Sequence, residues 1–225
     1  FDTDLSKILN KSMDNCHYML SASLEHMSKY YTQLHVFTDG SKMDHRTACA
    51  FYIPYIKHHR LIRLPDNTNI FTAEMAAILE ALQFILSKPP MAAVIFTDSL
   101  SAVQALEIGE GNNALHLEIK YCLYQLSCQG VQVTISWIPS HVGIRGNERV
   151  DDLAKEALLL SHVNFPIAPD ISDLDVILRE QIKREWQTQW DMSLKGRFYY
   201  ALEPKVSETV KYSDPCKAKQ TCISR

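Results

Sequence analysis

Ala92-Ala93-Val94-Ile95-Phe96-Thr97 is apolar at every position up to its closing threonine. A strand with one wet face alternates apolar with polar residues, so a run without alternation needs cover on both faces. The flanking segments have the pattern to supply that cover. Thr72 to Ser87 carries a helical apolar stripe, with Thr72 as its N-cap and Pro89-Pro90 as its stop. Ser99 caps a helix through Ile108, Gly109 and Gly111 break it, and Leu115, Ile119, Cys122, Leu123 and Leu126 mark the next stripe. Upstream, Leu34 to Thr38, Thr47 to Ile53 and Arg60 to Leu64 read as an antiparallel meander, the first strand closed by a turn at Asp39-Gly40. Downstream, Val131, Val133, Ile135 and Trp137 alternate with Gln132, Thr134 and Ser136 in a strand of period two. Asn147 then caps a helix that turns Val150, Leu153, Ala154, Ala157 and Leu158 inward. The order βββαβααβα predicts an α/β fold: a mixed five-stranded sheet, an antiparallel meander plus two parallel strands, with helices on both faces.

With 225 residues, 46% of them apolar, the chain can bury one substantial core and leave a remainder. Residues 1 to 33 have apolar positions at roughly helical spacing and read as a helical lead-in or linker; residues 34 to 160 form the domain. From 161 to 225 a linker around Asn164-Phe165-Pro166 leads to a helical extension that starts at Ser172, where Ser172 and Asp175 resemble a capping box. Leu174, Leu178, Ile182, Trp186 and Trp190 form its stripe, which suits packing on the domain or a neighbour, or stacking of nucleic bases. The first residue is Phe and the last residues carry no capping signal, so a fragment of something longer is expected. No basic and apolar leader opens the chain and no unbroken run of about 18 apolar residues occurs, which predicts an intracellular protein, cytoplasmic or nuclear, neither secreted nor in a membrane. Six cysteines without C-x-x-C spacing disfavour zinc and a disulfide framework.

Four acids stand out by their contexts. Asp39 follows a strand and precedes glycine, Glu74 lies on the apolar stripe of its helix with Ala77, Ile78, Ala81 and Ile85, Asp98 ends the doubly covered strand, and Asp151 lies in the first turns of the last helix. Singly, Asp39 suits a hairpin turn, Asp98 an N-cap and Asp151 a helix dipole. Glu74 is harder to explain away, because a lone carboxylate on a core stripe is costly unless paired or metal-bound. A fold that gathers all four makes an all-oxygen pocket suited to Mg²⁺ or Mn²⁺. His141, between Pro139-Ser140 and Val142-Gly143, is the candidate proton carrier beside it.

Thr38-Asp39-Gly40-Ser41, Ala73-Glu74, Thr97-Asp98-Ser99 and His141-x9-Asp151, in this order, resemble the type-1 ribonuclease H family. Ile70-Phe71-Thr72-Ala73-Glu74 and the run from Trp137 to Glu148 are similar to the ribonuclease H domain of non-LTR retrotransposon polyproteins, over about residues 34 to 160. The resemblance implies that Asp39, Glu74, Asp98 and Asp151 coordinate two Mg²⁺ ions, with Mn²⁺ as a substitute. It implies that the RNA strand of an RNA·DNA hybrid is cut to 3′-hydroxyl and 5′-phosphate ends, that His141 shuttles a proton or helps product leave, and that a reverse transcriptase domain is a neighbour. Two departures bear on substrate: Ile70 and Phe71 replace the polar side chains that cellular members carry before the glutamate, and Gly109 to Leu117 lacks the Lys and Arg of a basic protrusion. Ten Lys and Arg against thirteen Asp and Glu between Leu34 and Leu160 leave a net charge of −3, so weak affinity for hybrid is expected of the domain alone. A catalytically silent nucleic-acid-binding remnant of a retroelement, and a transposase or resolvase of the same fold, are the alternative readings.

Overall fold

A computed structural model describes residues 1–9, 15–108, 114–168 and 171–207. The chain divides into two compact units, Phe1–Asp173 and Leu174–Arg225.

The first unit is built on one sheet of order β3-β2-β1-β4-β5. Strands β1 (Leu34–Met43), β2 (Arg46–Ile53) and β3 (His58–Arg63) form the antiparallel meander, and β4 (Ala92–Thr97) and β5 (Gln132–Trp137) run parallel to β1. The first strand does not close at Asp39-Gly40. It continues to Met43, with Asp39 opposite Ala50 and Gly40 opposite Cys49, and the turn falls at Asp44, whose φ of 54° an aspartate tolerates. Pairing with β2 overrides the local turn preference of the Asp-Gly pair. In β4, Ala93 through Thr97 are fully buried, as the absence of alternation requires.

Helices α1 (Asp4–Ile8), α2 (Cys16–Ser28), α3 (Ile70–Ser87), α4 (Leu100–Ile108), α5 (Ala114–Cys128) and α6 (Arg145–Ala157) complete the unit. The expected break at Gly109 and Gly111 lies outside the described residues. Thr72 is not the cap of α3: the helix starts two residues earlier, and the Asn69 side chain accepts the Thr72 N–H at 2.7 Å. Nor does Asn147 cap α6, which begins at Arg145 with Ile144 at its cap position. α3 is long and apolar enough to cross a membrane by length and composition, but 67% of it is buried within the fold, where it is the central core helix.

Alternation assigns the two layers. Gly40 faces α3, because a Cβ there would lie 3.1 Å from the Ala73 Cβ, whereas a Cβ on Gly146 of α6 would lie 2.3 Å from the Phe37 ring. Even and odd positions of β1 point to opposite faces, so α3 and α6 lie on opposite sides of the sheet. Phe96 and Ser136 pair in register with Phe37 and so share its face. That face of β4 and β5 is covered by the lead-in: Tyr30 packs edge-on against Phe96, and the buried His26 Nε2 lies 3.0 Å from Ser136 Oγ and 3.2 Å from an oxygen of Asp2. Backbone bonds Asp2 N–H to Ile135 O (2.9 Å) and Trp137 N–H to Asp2 O (3.0 Å) tie the first residues to β5. Leu5, Leu9 and Met19 join the main core, so α1 and α2 pack as a layer of this unit.

In the second unit α7 (Ile171–Met192) turns into α8 (Arg197–Leu202). Gly196, at φ 69°, allows the return, Trp190 Nε1 donates to Glu203 O at 3.1 Å, and the Arg197 guanidinium stacks 3.8 Å over the Tyr200 ring. The side chain of Ser172, and with it the capping box, lies outside the described residues; Asp175 pairs with Arg179 at 2.9 Å. The stripe is split within this unit, since Trp190 is taken up by the turn while Leu174, Leu178, Ile182 and Trp186 stay exposed. Among the described residues Cys16, Cys49, Cys122 and Cys128 are free thiols.

Candidate active site

The register of two parallel strands sets the first two acids side by side. Thr38 pairs with Thr97, so Asp39 and Asp98, each one residue further on, emerge together and on one face. Glu74 comes from the opposite layer and reaches them past Gly40, where no side chain intervenes: a Cβ there would lie 3.1 Å from the Glu74 nitrogen and 3.2 Å from its Cδ. One oxygen from each of Asp39, Glu74 and Asp98 lies within 4.8 Å of the others. Trp137 Nε1 donates to the Asp98 carbonyl at 3.0 Å and anchors the end of β4.

Burial makes this arrangement tense. Asp39 is 6% exposed and Glu74 7%. Burial first, then the Asp98 and Asp151 carboxylates, push the Asp39 carboxyl up to about 8, against the opposing pull of the Gly40 N–H and Lys155. Burial, Asp39 and Asp98 likewise raise Glu74 well above the carboxylate range, and its Oε2 has no hydrogen-bond partner among the described residues. Three carboxylates this close stay charged only if a cation joins them. An orphaned, buried acceptor within a cluster of oxygen donors fits a hard divalent cation.

Asp151 stands in an adjoining group. Its carboxylate accepts a 2.7 Å hydrogen bond from Lys155 Nζ, and a ligand atom of each of His141, Glu148 and Asp151 lies within 4.8 Å of the others. Asp151 faces the first group closely enough to raise Asp39. His141 is 70% exposed, has φ of 57°, and places Nδ1 4.0 Å from Asp151 Oδ2. A non-glycine residue in the left-handed region is strained by about 1–2 kcal/mol, and such strain concentrates at functional loops. The loop is held from both sides: the Gly143 N–H donates to Glu148 Oε1 at 3.2 Å, and Leu20 of the lead-in packs against Gly143.

Three contributors escape a sequence reading centred on acids. Lys155 and Glu148 read as ordinary surface charges of a helix. Asn147 is 2% exposed, and its Nδ2 donates to Asp98 Oδ2 at 3.2 Å. The signal that marks Asn147 is its place on the inward stripe with Val150, Ala154 and Ala157, as Glu74 is marked on α3.

The chain is similar to a retrovirus-related Pol polyprotein from the type-1 retrotransposable element R1 of Popillia japonica, 26% identical over 131 residues that cover 56% of this chain and 50% of that relative. The chain thus spans about half the length of the curated relative it matches. The family model for RNase H matches residues 31–159, which contain the whole sheet, both layers that bring the acids together and the His141 loop. Sheet order, strand directions and this match agree, and the chain belongs to the RNase H family.

Proposed function

We propose that this chain hydrolyses the RNA strand of RNA·DNA hybrids as the ribonuclease H part of a retrotransposon polyprotein. The observation that carries this reading is the set of three carboxylates within 4.8 Å of one another, Asp39 and Glu74 buried and Asp98 half-buried, inside the stretch that matches the family. Asp39, Glu74, Asp98 and Asp151 would hold two Mg²⁺ ions, for which Mn²⁺ can substitute. When bound, such ions supply charge stabilisation to an in-line displacement at phosphorus and favour the ionised form of a water. The carboxylates provide the negative, water-poor pocket that keeps the ions in place. Lys155, paired with Asp151, neutralises that carboxylate and would have to yield it to an ion held there. His141 faces Asp151 through Nδ1, and its Nε2 is available to pass a proton to the departing O3′. The water oxygen bonds to phosphorus as the P–O3′ bond breaks and O3′ takes a proton, leaving 3′-hydroxyl and 5′-phosphate ends.

Selection of RNA requires contact with the 2′-hydroxyl. The residues before Glu74 are the exposed Ile70 and the half-buried Phe71, so backbone groups carry that contact. Affinity for hybrid comes in part from a neighbouring reverse transcriptase domain, since residues 34 to 160 have net charge −3. The test is to incubate the purified chain with labelled hybrid, duplex RNA and duplex DNA, in Mg²⁺ or in EDTA. Cleavage of RNA in the hybrid alone, abolished by EDTA, is expected; no cleavage, or equal cleavage of duplex DNA, would overturn the reading.

A further inference from the structure

Asn147 is a fully enclosed amide that its own helix does not use. α6 starts at Arg145, so Asn147 caps nothing, and its backbone position is fixed by the close approach of Gly146 to the Phe37 ring. Its Nδ2 donates to Asp98 Oδ2 at 3.2 Å, while its Oδ1 is buried without a hydrogen-bond partner among the described residues. A leucine has the same branching and would leave no unmet acceptor, and an aspartate would add a further charge to a self-repelling cluster. The amide gives the Asp98 carboxyl group a donor and adds no charge.

Resting on the functional reading above, we propose that Asn147 is a positioning residue of the acid cluster. Its amide fixes the rotation of the Asp98 carboxylate, which holds an oxygen of that carboxylate toward Asp39 and Glu74. Partners of this kind tune how tightly a ligand set binds without touching the ion.

The test is calorimetric titration of metal-free wild type, Asn147→Ala and Asn147→Leu with Mn²⁺, at a temperature where circular dichroism shows each to be folded. Asn147→Leu keeps the branched shape with added bulk, removes both amide partners, and serves where the smaller side chain of Asn147→Ala fails to fold. Both variants should bind Mn²⁺ about tenfold more weakly than wild type, with binding of uncleaved hybrid in EDTA unchanged. Mn²⁺ affinity within about twofold of wild type in a folded variant whose melting temperature has dropped would assign Asn147 a packing role only and overturn the positioning role while leaving the functional reading intact. Absence of Mn²⁺ binding in wild type would overturn both.

Discussion

Asp39 concentrates the electrostatic tension of the site. Its folded carboxyl keeps its proton to about pH 8, whereas an unfolded aspartate releases it near its ordinary value of 3.8. Between those values the folded state binds more protons, so this group's contribution to stability is present below the lower value and is lost as pH rises through the upper one. Melts in EDTA should therefore show wild type losing stability from pH 5 to 9, and Asp39→Asn, with repulsion relieved, gaining about 1–3 kcal/mol at the alkaline end. Equal slopes in the two proteins would remove Asp39 from the cluster. Asp151→Asn should lower hybrid cleavage by about 10²-fold or more, and Asp152→Asn by no more than about threefold, because neighbouring helix positions point about 100° apart and only Asp151 faces Asp39. Equal losses would place the site on the wrong register of α6. His141→Ala should slow turnover by about 10² to 10⁴-fold with Mn²⁺ affinity unchanged, since a hard-cation pocket has little use for imidazole. A calorimetric loss of Mn²⁺ binding in that variant would make His141 a ligand.

At the scale of elements, packing decided what local pattern left open. The unalternating β4 was legible as a doubly covered strand, and with it the place of Asp98 at the strand's end. Glu74 was legible because a charge on a core stripe has no cheap explanation. The Asp39-Gly40 pair misleads, because its glycine serves the approach of α3 rather than a turn, and that approach is a property of the assembled layers. Asn69 and Thr72 are both able to cap, and only the folded backbone shows that the first accepts the N–H of the second. The lead-in was visible as helix but not as a layer, since nothing in its sequence names β4 and β5 as its floor. Close approach is also testable at Gly146, where an added Cβ would meet the Phe37 ring at 2.3 Å. Gly146→Ala should cost about 1–3 kcal/mol, several degrees of melting temperature, with partial recovery in the double variant with Phe37→Leu. No recovery would mean that the strain lies elsewhere.

Taken as a whole molecule, the first unit is a sheet between two helical layers, with the acids gathered at the end of the sheet where β4 stops, beside Asp39 within β1, and where both layers can reach them. This end is also where ligands sit in open α/β sheets. The charge of the domain does not attract nucleic acid, so the isolated chain should bind hybrid weakly and with a shallow dependence of affinity on salt, measurable by fluorescence anisotropy in EDTA. The most direct test of the account is the chemistry of the product ends. Hybrid with internally labelled RNA, treated with the chain in Mg²⁺, should yield fragments with 3′-hydroxyl and 5′-phosphate ends, and Asp39→Asn should yield none. Fragments ending in 2′,3′-cyclic phosphate, or undiminished cutting by Asp39→Asn, would contradict hydrolysis at the acid cluster.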